Sequence, residues 1–289
     1  MEFIFRLVIL ASYRKDQLLF GKEYSYQMKF LVIILVCFFS SIVGSICGIG
    51  GGVIIKPVLD ATGLMPVTTI SFLSGCTVLS MSFVSLYKNL KAPGDSSFDR
   101  VFASVLAFGA VIGGILGKDL YQDLIGKLPN TDGVGAVQSA VLAVITLGTL
   151  VYTLFKKRIP TRRISNKLTV LLIGIFLGVL SSFLGIGGGP VNLVALSYFF
   201  SMAAKQSAMY SIYTILFSQI SSLLFTLWKG TVPPFQLPML LLMILCGIFG
   251  GYAGSKINRR LDDHMVDKLF TGIMSLIIGI CFSNILRYL

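Results

Sequence analysis

Negative charge is what this sequence has least of. Asp and Glu together number 12 among 289 residues, and all charged types make up 12% of the chain, against about 25% in ordinary soluble domains. A single histidine means no imidazole pair exists to share a metal ion. The five cysteines are odd in number and contain no Cys-x-x-Cys spacing, which argues against both a disulfide framework and a zinc site. Cys37, Cys47, Cys76, Cys246 and Cys281 all fall in apolar sequence and are expected to pack as small hydrophobes. No nucleophile–base pair, paired acids, P-loop lysine motif or βαβ context occurs, so neither an enzyme nor a bound cofactor is expected.

What fills the chain instead is apolar. Hydrophobic residues make up 55% of it and the mean hydropathy is +0.87. Uncharged runs cover Phe30–Ile55, Val101–Gly117, Gly133–Phe155, Leu168–Ala204, Gln206–Trp228, Gly230–Ser255 and Leu269–Leu286, and about 20 residues suffice to cross a bilayer as a helix. The fold class is therefore an all-α polytopic membrane protein of the cell membrane. The net charge of +12 invites a nucleic-acid reading, but the basic residues sit in short loops between apolar runs. Its densest cluster, Lys156 to Lys167, has the pattern of a cytoplasmic loop. The partner this composition calls for is the lipid bilayer; a homo-oligomer stays open. Residues 1–27 precede the first span, and Met1 to about Phe20 reads as an interfacial amphipathic helix, not a cleavable leader.

Glycine, in contrast, is abundant and patterned. Gly48-Ile49-Gly50-Gly51-Gly52 recurs as Gly185-Ile186-Gly187-Gly188-Gly189, 137 residues later. The same offset pairs Ser45 with Ser182, Leu59 with Leu196, Ser74 with Ser211, Thr77 with Thr214, and Gly113, Gly114 and Gly117 with Gly250, Gly251 and Gly254. Three landmarks in one register imply two homologous repeats, over residues 28–156 and 168–289, joined by a basic linker at 157–167. Each repeat is predicted to hold a helix (about 28–47; about 168–184), a glycine break and a short helix (about 53–61; about 190–202). Three spans then follow, at about 67–88, 100–119 and 134–155 and at about 206–228, 236–256 and 267–287. That makes about eight full spans plus two short helices. If the short helix turns back, each half crosses an odd number of times and the repeats are inverted; if it continues, they are parallel. We favour inversion, because broken helices meeting at a centre are a common transporter plan.

Glycine clusters break helices, and a break at membrane depth is tolerated only where protein buries it or water reaches it. The amides that open the following helix, around Gly52–Ile55 and Gly189–Asn192, are expected to lack intrahelical acceptors and to face the break with the positive helix end behind them. Such ends suit small oxyanions. The candidate binding residues are accordingly Gly48, Gly50, Gly51, Gly52, Gly185, Gly187, Gly188 and Gly189, with Pro190 suited to a first helical turn. Lys56 stands one turn beyond the first break, well inside apolar sequence, where an ionisable residue is a functional candidate; its counterpart is Leu193. Ser71 and Ser74, then Asn192, Ser207 and Ser211, offer polar groups to complete an anion shell. Asp60 is a candidate for coupling. The competing interpretation, a channel-like or structural protein whose glycines only pack helices, applies most directly to Gly113-Gly114-x-x-Gly117 and Gly247-x-x-Gly250-Gly251-x-x-Gly254.

These residues resemble the sulfite exporter TauE/SafE family, also called the toluene sulfonate uptake permease family. The resemblance spans about residues 30–287 and rests on Gly48-Ile-Gly-Gly-Gly-Val-Ile-Ile-Lys-Pro57-Val-Leu, Gly185-Ile-Gly-Gly-Gly-Pro190, the Thr69-x-Ser71 stretch and the two glycine-patterned helices. It implies a membrane permease or exporter for a small anion such as sulfite or a sulfonate, working as a secondary transporter. The second copy differs from the first in carrying Val194 where the first has Pro57.

Overall fold

The computed structural model describes residues 22–91, 98–127, 131–156 and 158–288. Among them the chain is helical, with ten helices joined by short turns and no strand. They are α1 Lys22–Cys47, α2 Gly52–Thr62, α3 Val67–Leu90, α4 Arg100–Lys127, α5 Thr131–Phe155, α6 Lys167–Leu184, α7 Gly189–Phe200, α8 Ala204–Trp228, α9 Leu237–Asn258 and α10 Asp263–Tyr288. Eight are long and apolar enough to cross a membrane, all but α2 and α7. The interfacial helix anticipated for Met1 to Phe20 lies outside the described residues. The clearest boundary difference is α4, anticipated to stop near 119 but helical to Lys127. Asp119 pairs with exposed Lys229, so the helix carries polar groups beyond its apolar stretch.

Both breaks turn the chain back on itself. Gly48 and Gly50 take φ of +73° and +71°, and Gly185, Gly187 and Gly188 take +64°, +86° and +71°. That left-handed region costs an ordinary residue about 1–2 kcal/mol, which is why glycine stands there. A Cβ on Gly51 would lie 3.2 Å from the Ser40 carbonyl oxygen, and one on Gly188 would lie 2.9 Å from Ser181 Cβ. The chain therefore folds back along the helix it has just left.

Helix directions follow from the close crossings. Cβ atoms on Gly109, Gly113 and Gly117 of α4 would fall 2.4, 2.1 and 2.3 Å from the carbonyl oxygens of Leu171, Ile175 and Val179 on α6. Equal steps in the same sense make α4 and α6 parallel. The same contact displaced by 137 residues joins α9 to α1, Gly250 against Phe38 and Gly254 against Ile42. Gly247 and Gly251 set α9 parallel to α3, through Thr77 and Met81. On the other side, Gly114 against Ser218 and Asp119 against Lys229 set α4 parallel to α8. The two trios meet through α3 and α8, which run antiparallel: Gly75 faces Gln219, whereas Leu86, further along α3, packs on Ile212, earlier in α8. Helices in matching register thus point in opposite directions, as an odd number of crossings per half requires. α5 packs on α10 beside these trios. The two glycine-patterned helices serve as crossing surfaces, as helix packing in lipid favours.

Candidate functional site

The two breaks touch each other in the middle of the bundle. A Cβ on Gly189 would lie 1.8 Å from the Ile49 carbonyl oxygen, and one on Gly52 would lie 2.7 Å from that of Ile186. Gly50 and Gly187 both face the side chains of Ile215 and Val78. The sequence reading of the helix starts needs a correction here. The amides of Val53, Ile54 and Ile55 donate to Gly50 O, Gly51 O and Gly51 O, and Asn192 N donates to Gly188 O. For Val53 and Ile54 the turn at the first break supplies acceptors that an isolated helix end would lack, whereas the bonds of Ile55 and Asn192 to the N-cap carbonyls are the ordinary first bonds of their helices.

The second break is lined by groups from four other elements. Lys56 Nζ, on α2, donates to the Leu184 carbonyl oxygen at 2.5 Å and to Gln138 Oε1 on α5 at 2.5 Å. Gln138 Nε2 donates to the Phe183 carbonyl at 2.8 Å. An ammonium at the end of α6 satisfies carbonyls that have no partner in their own helix and meets the negative end of its dipole. Ser74 Oγ, on α3, donates to Gly185 O at 3.2 Å, and a Cβ on Gly185 would meet Ser71 Oγ at 3.4 Å and Lys56 Nζ at 3.6 Å. Asp60, one turn beyond Lys56, accepts from Asn284 Nδ2 at 3.4 Å, and the same nitrogen donates to Pro57 O at 3.0 Å. Lys56, Asp60, Gln138 and Ser139 border a cavity of about 10 Å³, the room of roughly one water. The breaks are closed on each other.

The first break is lined differently. Ser211 Oγ donates to Gly48 O at 2.6 Å, in the register of Ser74 and Gly185, but Ala208 stands where Ser71 stands at the second break. Ser207 donates to Met202 O at 3.4 Å, away from the glycines. Asn192 is fully buried, a Cβ on Gly188 would lie 3.1 Å from its Oδ1, and neither its Oδ1 nor its Nδ2 has a hydrogen-bond partner.

Sequence reading missed two residues. Lys118 and Tyr121 lie on α4, with Lys118 Nζ 4.8 Å and Lys56 Nζ 5.9 Å from the centre of the Tyr121 ring. Lys118 follows an uncharged run at the very end anticipated for this span; the longer α4 places it within the helix. A usable signal was present in the register: Lys118 and Tyr121 fall on Ser255 and Asn258, and Asn258 donates to the Ile46 carbonyl at the end of α1. The two α4 residues thus stand over the second break as their counterparts stand over the first.

Known proteins place this arrangement. Over 273 residues the chain is 22% identical to a protein of Bacillus subtilis (strain 168) described as "Probable membrane transporter protein YunE", covering 86% of this chain and 96% of that one. No solved structure matches. Residues 33–281, which hold both breaks, their lining helices and the paired glycine crossings, match the family described as "Sulfite exporter TauE/SafE". A multi-pass helical bundle with this match across most of its length belongs to the sulfite exporter TauE/SafE family of membrane transporters.

Proposed function

We propose that this transporter moves a small anion, of the sulfite or sulfonate kind, by alternating access through the contact between its two breaks. The observation that carries the reading is that contact: two backbone interruptions meet in mid-bundle, Gly52 on Ile186 and Gly189 on Ile49, between trios of helices running in opposite directions. Helix interruptions at the meeting of two oppositely directed halves mark the substrate site in many secondary transporters. Contact this close between the two breaks is what an occluded stage of such a cycle requires. Gly48, Gly50–Gly52, Gly185 and Gly187–Gly189 let backbone approach the anion, Ser71, Ser74, Asn192 and Ser211 offer polar groups, and Lys56, held on the end of α6, adds positive charge beside the second break. Asp60, on the wall of the same cavity, is the coupling group: the Asp60→Asn protein is expected to keep anion exchange and lose the response to an imposed proton gradient.

The test is saturable anion flux into proteoliposomes across a panel of sulfite, methanesulfonate, sulfate and acetate. Gly51→Leu and Gly188→Leu proteins that retain a monodisperse elution profile are expected to lose that flux. Flux that never saturates, or that both variants keep, would instead favour a channel-like or purely structural role for the glycines.

A further inference from the structure

Three charged side chains are buried among the described residues: Lys56 at 5%, Asp60 at 7% and Lys118 at 8% exposure. All three lie around the second break, and ammonium outnumbers carboxylate there by two to one. Lys56 has Gln138 and Leu184 O as acceptors, with Asp60 one turn away on its own helix. Lys118 has no hydrogen-bond acceptor and no carboxylate partner among the described residues; its one close neighbour of note is the face of Tyr121. An isolated buried ammonium is expensive unless something of opposite charge joins it, and inside a membrane such a residue marks a ligand path.

Two hydroxyls at the same place are also unsatisfied. Tyr121 and Ser71 both stand beside Lys56, the one with its ring centre 5.9 Å from Nζ and the other across Gly185, and neither Tyr121 Oη nor Ser71 Oγ completes a hydrogen bond, though both are buried. Ser71 in turn borders the bare Cα of Gly185. One cation without a hydrogen-bond acceptor and two unsatisfied hydroxyls thus gather beside Gly185, whose missing side chain lets Ser71 pack directly against the backbone of the break. The first break has no such set: Ser255, Asn258, Ala208 and Leu193 occupy the matching positions.

We infer that Lys118, Tyr121 and Ser71 form the anion-recognition site of this transporter, on the α6 side of the break contact, and that it takes a singly charged oxyanion. The inference rests on the anion-permease reading and assigns it to one half of the molecule. Lys118 supplies the charge, the Tyr121 and Ser71 hydroxyls donate to two ligand oxygens, and Lys56 stays on the end of α6 as a structural cation. With one carboxylate to two ammonium groups among the buried charges of the described residues, one negative charge completes the balance.

The probe is methanesulfonate, titrated against purified wild-type, Lys118→Gln, Lys118→Arg and Tyr121→Phe proteins by thermal shift, with flux measured on the same samples. A ligand that prefers the folded state stabilises it by RT ln(1 + [L]/Kd), so the rise in melting temperature with ligand concentration reports the apparent affinity. Methanesulfonate is expected to stabilise the wild type more than sulfate does. Lys118→Gln should weaken its apparent affinity at least ten-fold, Lys118→Arg should restore most of it, and Tyr121→Phe should fall between. Wild-type affinity in Lys118→Gln, with flux intact, overturns the site and leaves the permease reading standing. Binding that depends on Lys118 without any flux upholds the site and overturns transport. A wild type that neither binds nor moves any member of the panel overturns both. Should Lys118→Gln not fold, the Lys118→Arg and Tyr121→Phe titrations decide: no change in either overturns the site.

Discussion

Lys56 is the residue whose chemistry the structure changes most. Sequence marked it as a functional candidate beside the first break; its Nζ donates to the last carbonyl of α6 and to Gln138, at the second break. Removing it strands a buried carbonyl and an amide oxygen, and a buried polar group without a partner costs about 1–3 kcal/mol. Lys56→Met should therefore lower the melting temperature in detergent. Gln138→Leu should do the same, and the double variant should lose less than the two single losses combined, since the pair shares one network. Equal and additive losses would separate the two residues. The glycines of the breaks divide in the same residue-by-residue way. Gly189→Ala places a Cβ 1.8 Å from Ile49 O, so the breaks cannot close as they stand. This protein should lose the compact contact even where the helices form, read as faster protease cleavage near residues 48–52.

At the level of helices, the glycine pattern separates into two functions that sequence alone joined. Gly113 and Gly117 on α4, with Gly250 and Gly254 on α9, are crossing points at which backbone meets backbone. A larger side chain there overpacks a tight contact, at a cost of about 1–3 kcal/mol or more. Gly113→Leu should therefore abolish a monodisperse, detergent-stable protein. By comparison, Gly148 on α5 has nothing within 4 Å of its would-be Cβ. Gly148→Ala should be neutral or stabilising by up to about 1 kcal/mol, the helix-propensity difference; a thermal melt on the two variants side by side checks both. Run length together with the glycine breaks predicted these elements, most with ends within a few residues: the run Phe30–Ile55 became α1 and the start of α2, and Leu168–Ala204 became α6 and α7. Sequence misjudged α4, because a lysine at the end of an apolar run looks the same whether it reaches water or a neighbouring tyrosine.

Across the whole molecule, the two trios fix which loops share a side. α4, α6 and α8 begin at one end of the bundle, and α1, α3 and α9 finish there. The basic linker before α6 and the turn after α9, with Arg259 and Arg260, therefore lie together, and the charge rule puts them in the cytoplasm. The turn before α9 lies opposite, beside the exposed Trp228 at the end of α8. In sealed vesicles, Thr161→Cys and Arg260→Cys should react with an impermeant thiol reagent from the cytoplasmic side, and Pro234→Cys from the other. The protein's own cysteines are all free and sit within the bundle, four of them buried. Labelling of all three variants from one face would contradict the helix directions.

Sequence by itself determined the class, the number of spans and the two glycine interruptions. Those follow from what lipid forbids, namely unpaired backbone and exposed charge, and from what glycine cannot sustain, an unbroken helix. Both constraints act locally, so they can be read along the chain. Only the tertiary structure decided that the interruptions rest on each other, that matching helices oppose one another, and that the buried cations among the described residues gather at the second break. Those facts depend on which distant segments meet, and Lys56, Ser71, Lys118 and Tyr121 come from three helices whose closeness no local pattern records.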